Sequence, residues 1–267
     1  MQHIYLDYNA STPIDAAVAL AMQPFLHVHF GNPSSGHWAS IEAKASLEDA
    51  RAQVAKLLGC NSAEIVFTGG GSEANNLALK GAFFAYSKER EHIITTQIEH
   101  PAVIEPCRFL ERLGARVTYL SVDRAGRINP DDLHRAITPR TMLVSIMHAN
   151  NEVGTIQPIE QCARIAREAG VLFHTDAAQS AGKVSTDVNE LGVDMLSIAG
   201  HKLYAPKGIG TLFVRSGVSL EPLVHGAGHE SGRRKGLRAG AGSRRRRNRV
   251  VRAALTFGRN CSAHSQS

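Results

Sequence analysis

Between residues 64 and 215, short runs of β-branched and apolar residues alternate with stretches whose apolar positions recur at helical spacing. The runs Glu64–Thr68, His92–Thr96, Arg116–Val122, Met142–His148, Val171–Asp176, Asp194–Ala199 and Thr211–Arg215 predict strands. Between them the pattern predicts helices over Ser72–Tyr86, Pro101–Leu113, Pro130–Ile137 and Pro158–Ala169. An earlier helix is predicted over Trp38–Leu58, with Ile41, Ala45, Leu47, Val54 and Leu57 as its apolar stripe. Pro101, Pro130 and Pro158 suit helix first turns, and Gly59, Gly114 and Gly170 suit helix ends. Strands alternating with helices in this way predict an α/β fold: a three-layer α/β/α sandwich around a mostly parallel sheet.

Composition changes this picture in one place. The 43% apolar and 20% charged residues are ordinary for a globular protein, but the net charge of +6 is unevenly distributed. From Ser231 onward there are ten Arg, one Lys and no acidic residue, so the other 230 residues carry −5. A nucleic-acid reading of the body therefore loses its electrostatic basis. The segment 235–267 reads as a disordered Arg-rich tail, and nucleic acid binding by that tail is not expected, because no aromatic residue interrupts its arginine run 244–249. The opening MQHIYLDYNAST has no secretory pattern, and no apolar run approaches the roughly 20 residues that span a bilayer. Cys60, Cys107, Cys162 and Cys261 form no CxxC pair, which argues against a zinc site or disulfide framework and suits a cytoplasmic location.

In parallel α/β sheets ligands bind at the carboxyl ends of the strands, and this chain gathers its chemistry there. Glu64–Thr68 runs into TGGGSEANN, a glycine-rich turn opening a helix, where backbone N–H groups with Ser72 can hold an anion. The turn lacks a Walker lysine and does not match GxGxxG. Val171–Asp176 ends in HTDAAQS; a carboxylate there is either a plain turn cap or a buried charge needing a partner. Met142–His148 ends in HANNEVG, His92–Thr96 leads to QIEHPAV, and Asp194–Ala199 delivers His201 and Lys202. An anion cradle, a carboxylate, a His able to stack and a Lys together match what pyridoxal 5'-phosphate needs. The Lys bonds to its aldehyde, and the carboxylate keeps its ring nitrogen protonated. No metal site is expected from His225 and His229, because HGAGHE is glycine-rich and lacks the HExxH order.

Eight segments extend the match: YLDYNAST, FGNPSSGH, TGGGSEANNLA, EHPAV, SIMHANNEVG, HTDAAQS, GHKLYAPKGIG and HGAGHESGRR. Through them residues 1 to about 235 resemble cysteine desulfurases of the iron–sulfur-assembly type, within the class V aminotransferase group of fold type I enzymes. The resemblance implies a seven-stranded sheet in a pyridoxal-phosphate-binding domain over 1–234, with a small C-terminal domain missing from this chain. It makes Lys202 the Schiff-base lysine, with Asp176 on the ring nitrogen and Gln179 on the phenolic oxygen. His100 stacks on the ring and moves protons; Gly71, Ser72 and His201 hold the phosphate; Asn151 faces cofactor and substrate. Lys207 is taken as structural or solvated, and HGAGHE as a loop near a dimer interface. L-cysteine as substrate, alanine and enzyme-bound sulfur as products, sulfur-accepting partner proteins and a homodimer follow from the same resemblance.

Three departures qualify it. Ala199 stands where many relatives have Ser. After ESGRR, Gly236, Leu237 and Arg238 replace a Gly-Thr-Glu-Asn motif whose Thr reaches the partner subunit's phosphate; GGGACTGAGAAC read one base later gives Gly-Leu-Arg, which predicts a frameshift near Lys235. The family's mobile sulfur-accepting Cys has no counterpart: Cys60, Cys107 and Cys162 read as packing residues, and Cys261 lacks the flanking sequence. Turnover is therefore expected to be impaired. The alternatives are another class V enzyme, a selenocysteine lyase or aminotransferase, and a non-catalytic cofactor-binding product.

Overall fold

A computed structural model describes residues 3–226, 228–232 and 234–235. The helices are α1 Ala16–His27, α2 Ile41–Leu58, α3 Gly71–Tyr86, α4 Pro101–Glu111, α5 Pro130–Ala136, α6 Ile159–Glu168 and α7 Val188–Leu191. The strands are β1 Ile65–Thr68, β2 His92–Thr96, β3 Arg116–Leu120, β4 Thr141–Ser145, β5 Leu172–Asp176, β6 Met195–Ala199 and β7 Gly210–Val214, with a small ladder of β8 Gly228–His229 and β9 Arg234–Lys235. The main sheet has seven strands in the order β1-β7-β6-β5-β4-β2-β3, and β7 alone runs antiparallel to its neighbours.

Each strand presents alternate residues to opposite faces, and two cores result. Ile65 and Phe67 of β1, Leu196 and Ile198 of β6 and Phe213 of β7 pack with α2, α5, α6 and α7. Val66, Met195, Leu212 and Val214 pack on the other face with α3 and α4. Phe67 and Phe213 are almost fully buried; a side chain of that size contributes about 1.5–3 kcal/mol by leaving water. This is the expected α/β/α sandwich.

Several local expectations need correction. Ile41 is 61% exposed and Ala45 is also exposed, so the buried stripe of α2 is Ala43, Leu47, Ala50, Val54 and Leu58, rotated from the one predicted. β4 stops at Ser145 rather than His148, because Ile146 and His148 leave the β2 ladder and donate their N–H groups to His174 and Asp176 of β5. Helix α1 was not foreseen. The HGAGHE stretch is not simply a loop, since Gly228 and His229 pair with Lys235 and Arg234. The predicted tail 235–267 lies, from residue 236 on and with Leu237 and Cys261, outside the described residues. Among the described residues no helix is long and apolar enough to cross a membrane.

Candidate active site

Gly59, which ends α2 with φ +66, and the C-terminal Gly114 and Gly170 turn the chain back so that every parallel strand ends on the same rim. Two other glycines shape the rim itself. A Cβ on Gly210 would lie 2.4 Å from the carbonyl carbon of Gly70, and one on Gly71 would lie 2.9 Å from Ala199 Cβ. The β1–α3 turn can therefore cross the start of β7 and reach the end of β6 only because both positions lack side chains. Helix α3 opens there without a side-chain cap, Thr68 Oγ1 donates to the Gly70 carbonyl at 2.9 Å, and Gly69 N–H donates to Glu73 Oε2 at 2.7 Å.

The rim encloses a cleft of about 990 Å³, the size range of cofactor pockets. All eight sequence-nominated residues line it: Gly71, Ser72, His100, Asn151, Asp176, Gln179, His201 and Lys202. Asp176, 7% exposed, accepts from Asn75 Nδ2 at 2.6 Å and from the Ala178 N–H at 2.9 Å. Lys202 sits in a one-turn helix, Gly200–Lys202, directly after β6. Burial lowers its pKa, and Lys183 adds to this, while Asp176, Asp7 and Glu152 pull the other way. The net effect favours a neutral amine. His201 is likewise lowered, first by burial and then by Lys202, Lys207 and His100; its buried Nδ1 has no partner. His100 caps α4, and its Nδ1 accepts the Ala102 N–H at 3.0 Å, so the neutral ring carries its proton on Nε2.

The two amides are less free than their sequence positions suggest. Gln179 Nε2 donates to the Asn9 carbonyl at 3.0 Å, and Gln179 Oε1 accepts from Lys183 Nζ at 3.4 Å. Asn151 Nδ2 donates to Glu152 Oε1 at 2.6 Å. Lys207 is exposed, as expected for a solvated residue, and also lines the cleft. Asp7, Asn9 and Asn75 line the cleft too and had no individual assignment. Asn75 offered a signal: a polar residue on the apolar face of α3, 1% exposed beside Ala74 and Ala78. Cys107 and Cys162 are fully buried and Cys60 half-buried, and burial pushes all three thiols up to about 12. They pack, as expected.

A lysine amine, a buried carboxylate and a glycine cradle meeting at one sheet rim match a known group. The family model for class-V aminotransferases matches residues 4–242. The chain belongs to the class-V aminotransferases. It is 52% identical over 241 residues to the cysteine desulfurase IscS of Dictyoglomus turgidum, covering 90% of this chain and 61% of that one. The IscS of Rickettsia massiliae is 49% identical over 236 residues, with 87% and 58% covered. The chain thus spans about three-fifths of the length of these curated relatives. Among solved structures, one described as SspA in complex with cysteine superposes with a TM-score of 0.90 at 42% identity, covering 96% of this chain and 72% of that one. A NifS-like protein superposes at 0.92 with 39% identity, covering 99% and 71%. Class-V membership and the NifS-like sandwich agree with the resemblance drawn from the motifs.

Proposed function

We propose that this chain is the cofactor-binding part of a pyridoxal-phosphate-dependent cysteine desulfurase, which converts L-cysteine to L-alanine and passes the sulfur to a thiol. One observation carries the reading: Lys202, Asp176 and the Gly69–Ser72 turn converge in one cleft. The donor set fits the cofactor. His201 Nδ1 and Asn75 Oδ1 are buried without partners, and Gly71 and Gly210 let the β1–α3 turn pack against the ends of β6 and β7 at the cleft's edge.

When bound, pyridoxal phosphate supplies an electron-accepting ring that stabilises charge developing on the substrate carbon. The chain's residues supply the rest. Lys202, whose pKa burial lowers, would be the amine that holds the cofactor's aldehyde end. Asp176, fixed by Asn75 and the Ala178 N–H, would face the ring nitrogen and keep it protonated. The uncapped start of α3, Ser72 and His201 would hold the phosphate. His100, with its transferable proton on Nε2, would lie beside the ring; Gln179 would address the phenolic oxygen and Asn151 the substrate side. None of the three described cysteines has thiolate character, so the sulfur-accepting thiol lies elsewhere. A second copy of the chain and a sulfur-accepting protein belong to the same reading. Ile4, Leu6, Leu20 and Trp38, exposed by 74–85%, offer apolar surface to cover.

Incubation with pyridoxal phosphate, L-cysteine and a small-molecule thiol that can itself take up the sulfur tests the reading by the alanine and sulfide formed. Slow formation of alanine in step with sulfide supports it. Amino-group transfer to a keto acid without sulfide would make the chain an aminotransferase instead, and selenide release from L-selenocysteine alone would make it a selenocysteine lyase.

A further inference from the structure

Directly behind the cleft lies a carboxyl group that the reading above does not use. Glu99 is 6% exposed at the end of the loop leaving β2, next to His100. Its Oε1 accepts two hydrogen bonds, from Thr96 Oγ1 at 2.8 Å and from the Met147 N–H at 2.9 Å. Its Oε2 is buried with no partner. Neither bond comes from a cation, and an ionised carboxylate in such a place would be strongly disfavoured.

We propose that Glu99 is a positioning residue: as a neutral carboxylic acid it ties the end of β2, which carries His100, to the chain leaving β4, and it places no additional negative charge beside Asp176 behind the cleft. This rests on the pyridoxal phosphate reading for what it positions. The groups around it agree. Burial raises the Glu99 carboxyl to about 8, against the Met147 and Thr96 hydrogen bonds and with added push from Asp176 at the end of β5. Cys107 of α4 is pushed up to about 12, chiefly by burial, and adds no charge near neutrality. His148, next after Met147, is lowered by burial and adds no positive charge near neutrality.

Glu99→Gln copies the neutral acid, while Glu99→Ala removes it, and both are compared with wild type. In cofactor-free protein, the infrared carbonyl band of a protonated carboxyl should be present at pH 7 and absent from Glu99→Gln. Because the folded-state value lies above the unfolded value of about 4.3, folding stability should fall as pH rises toward 8, by up to about tenfold in the folding constant per unit, then level off. Glu99→Gln should lose that slope. At pH 7 it should bind pyridoxal phosphate within about threefold of wild type, whereas Glu99→Ala should bind at least tenfold more weakly. The proposal is overturned if the slope persists in Glu99→Gln, if the band is missing from wild type, or if Glu99→Gln binds as poorly as Glu99→Ala. Wild type that binds no cofactor, yet shows the band and the slope, would overturn the cofactor reading and the positioning role with it, leaving Glu99 a neutral acid of the fold alone.

Discussion

Glu230→Ala is expected to destabilise the protein by about 3–5 kcal/mol, the cost of removing the buried partner of a buried cation, since the Glu48 that remains 3.4 Å from Arg51 is itself 56% exposed. The estimate comes from the open edge of the sheet. β1 pairs only with β7, so the Ile65 carbonyl and the Phe67 N–H face away from any strand. Arg51 Nη1 donates to the Ile65 carbonyl at 2.7 Å, and Glu230 Oε2 accepts from the Phe67 N–H at 3.1 Å. The two side chains meet in a fork, Nη1 to Oε2 at 2.7 Å and Nη2 to Oε1 at 3.1 Å, with Arg51 4.9 Å above the Phe67 ring. The Glu230 side chain is 0% exposed and that of Arg51 10%, so water cannot substitute for either partner. Alanine keeps a Cβ, so the strain of φ +50 at position 230 is the same before and after the change. Urea unfolding followed by far-ultraviolet circular dichroism measures the loss. Arg51→Met should cost a similar amount. Arg51→Met/Glu230→Ala should fall short of the sum of single losses by about 0.5–3 kcal/mol, because it removes both charges together. Single losses below about 1 kcal/mol that simply add would refute the buried fork.

Two further outcomes follow from buried groups. His174, held between Ser145 Oγ at 2.8 Å and Ser197 Oγ at 2.9 Å, is pushed down to about 3 by burial. Its folded value lies below the unfolded value of about 6.5, so it makes stability fall as pH drops from about 6.5 toward 3. His174→Gln should flatten that limb in pH-dependent melting curves, and an unchanged limb would exclude His174 as its source. Gly210→Ala places a methyl 2.4 Å from the Gly70 backbone, so it should shift the β1–α3 turn, lower the melting temperature and weaken phosphate binding together. Retained cofactor affinity in Gly210→Ala would show that the turn is not held by that contact.

Much of this architecture is legible in the chain because strand period and glycine or proline punctuation agree locally, as at Gly59 before β1 and Pro101 at the start of α4. Rim residues such as Lys202 and Asp176 are legible because each directly follows or ends an apolar strand. Helix α1 is not, since AAVALAMQPFLH carries Pro24 in its last turn and buries only Val18, Met22 and Phe25. Glu99 escapes for a different reason. A polar residue in a loop usually faces water, and only the three-dimensional approach of the chain leaving β4 buries this one beside the site. The Arg51–Glu230 fork, 179 positions apart in sequence, has no local signature at all.

Visible absorbance of the purified protein titrated with pyridoxal phosphate, wild type beside Lys202→Ala, tests the central claim most directly. Wild type should develop the visible band of a lysine-bound cofactor with a 1:1 endpoint, and Lys202→Ala should bind the cofactor without that band. A band of equal intensity in Lys202→Ala, or none in folded wild type, would contradict the account.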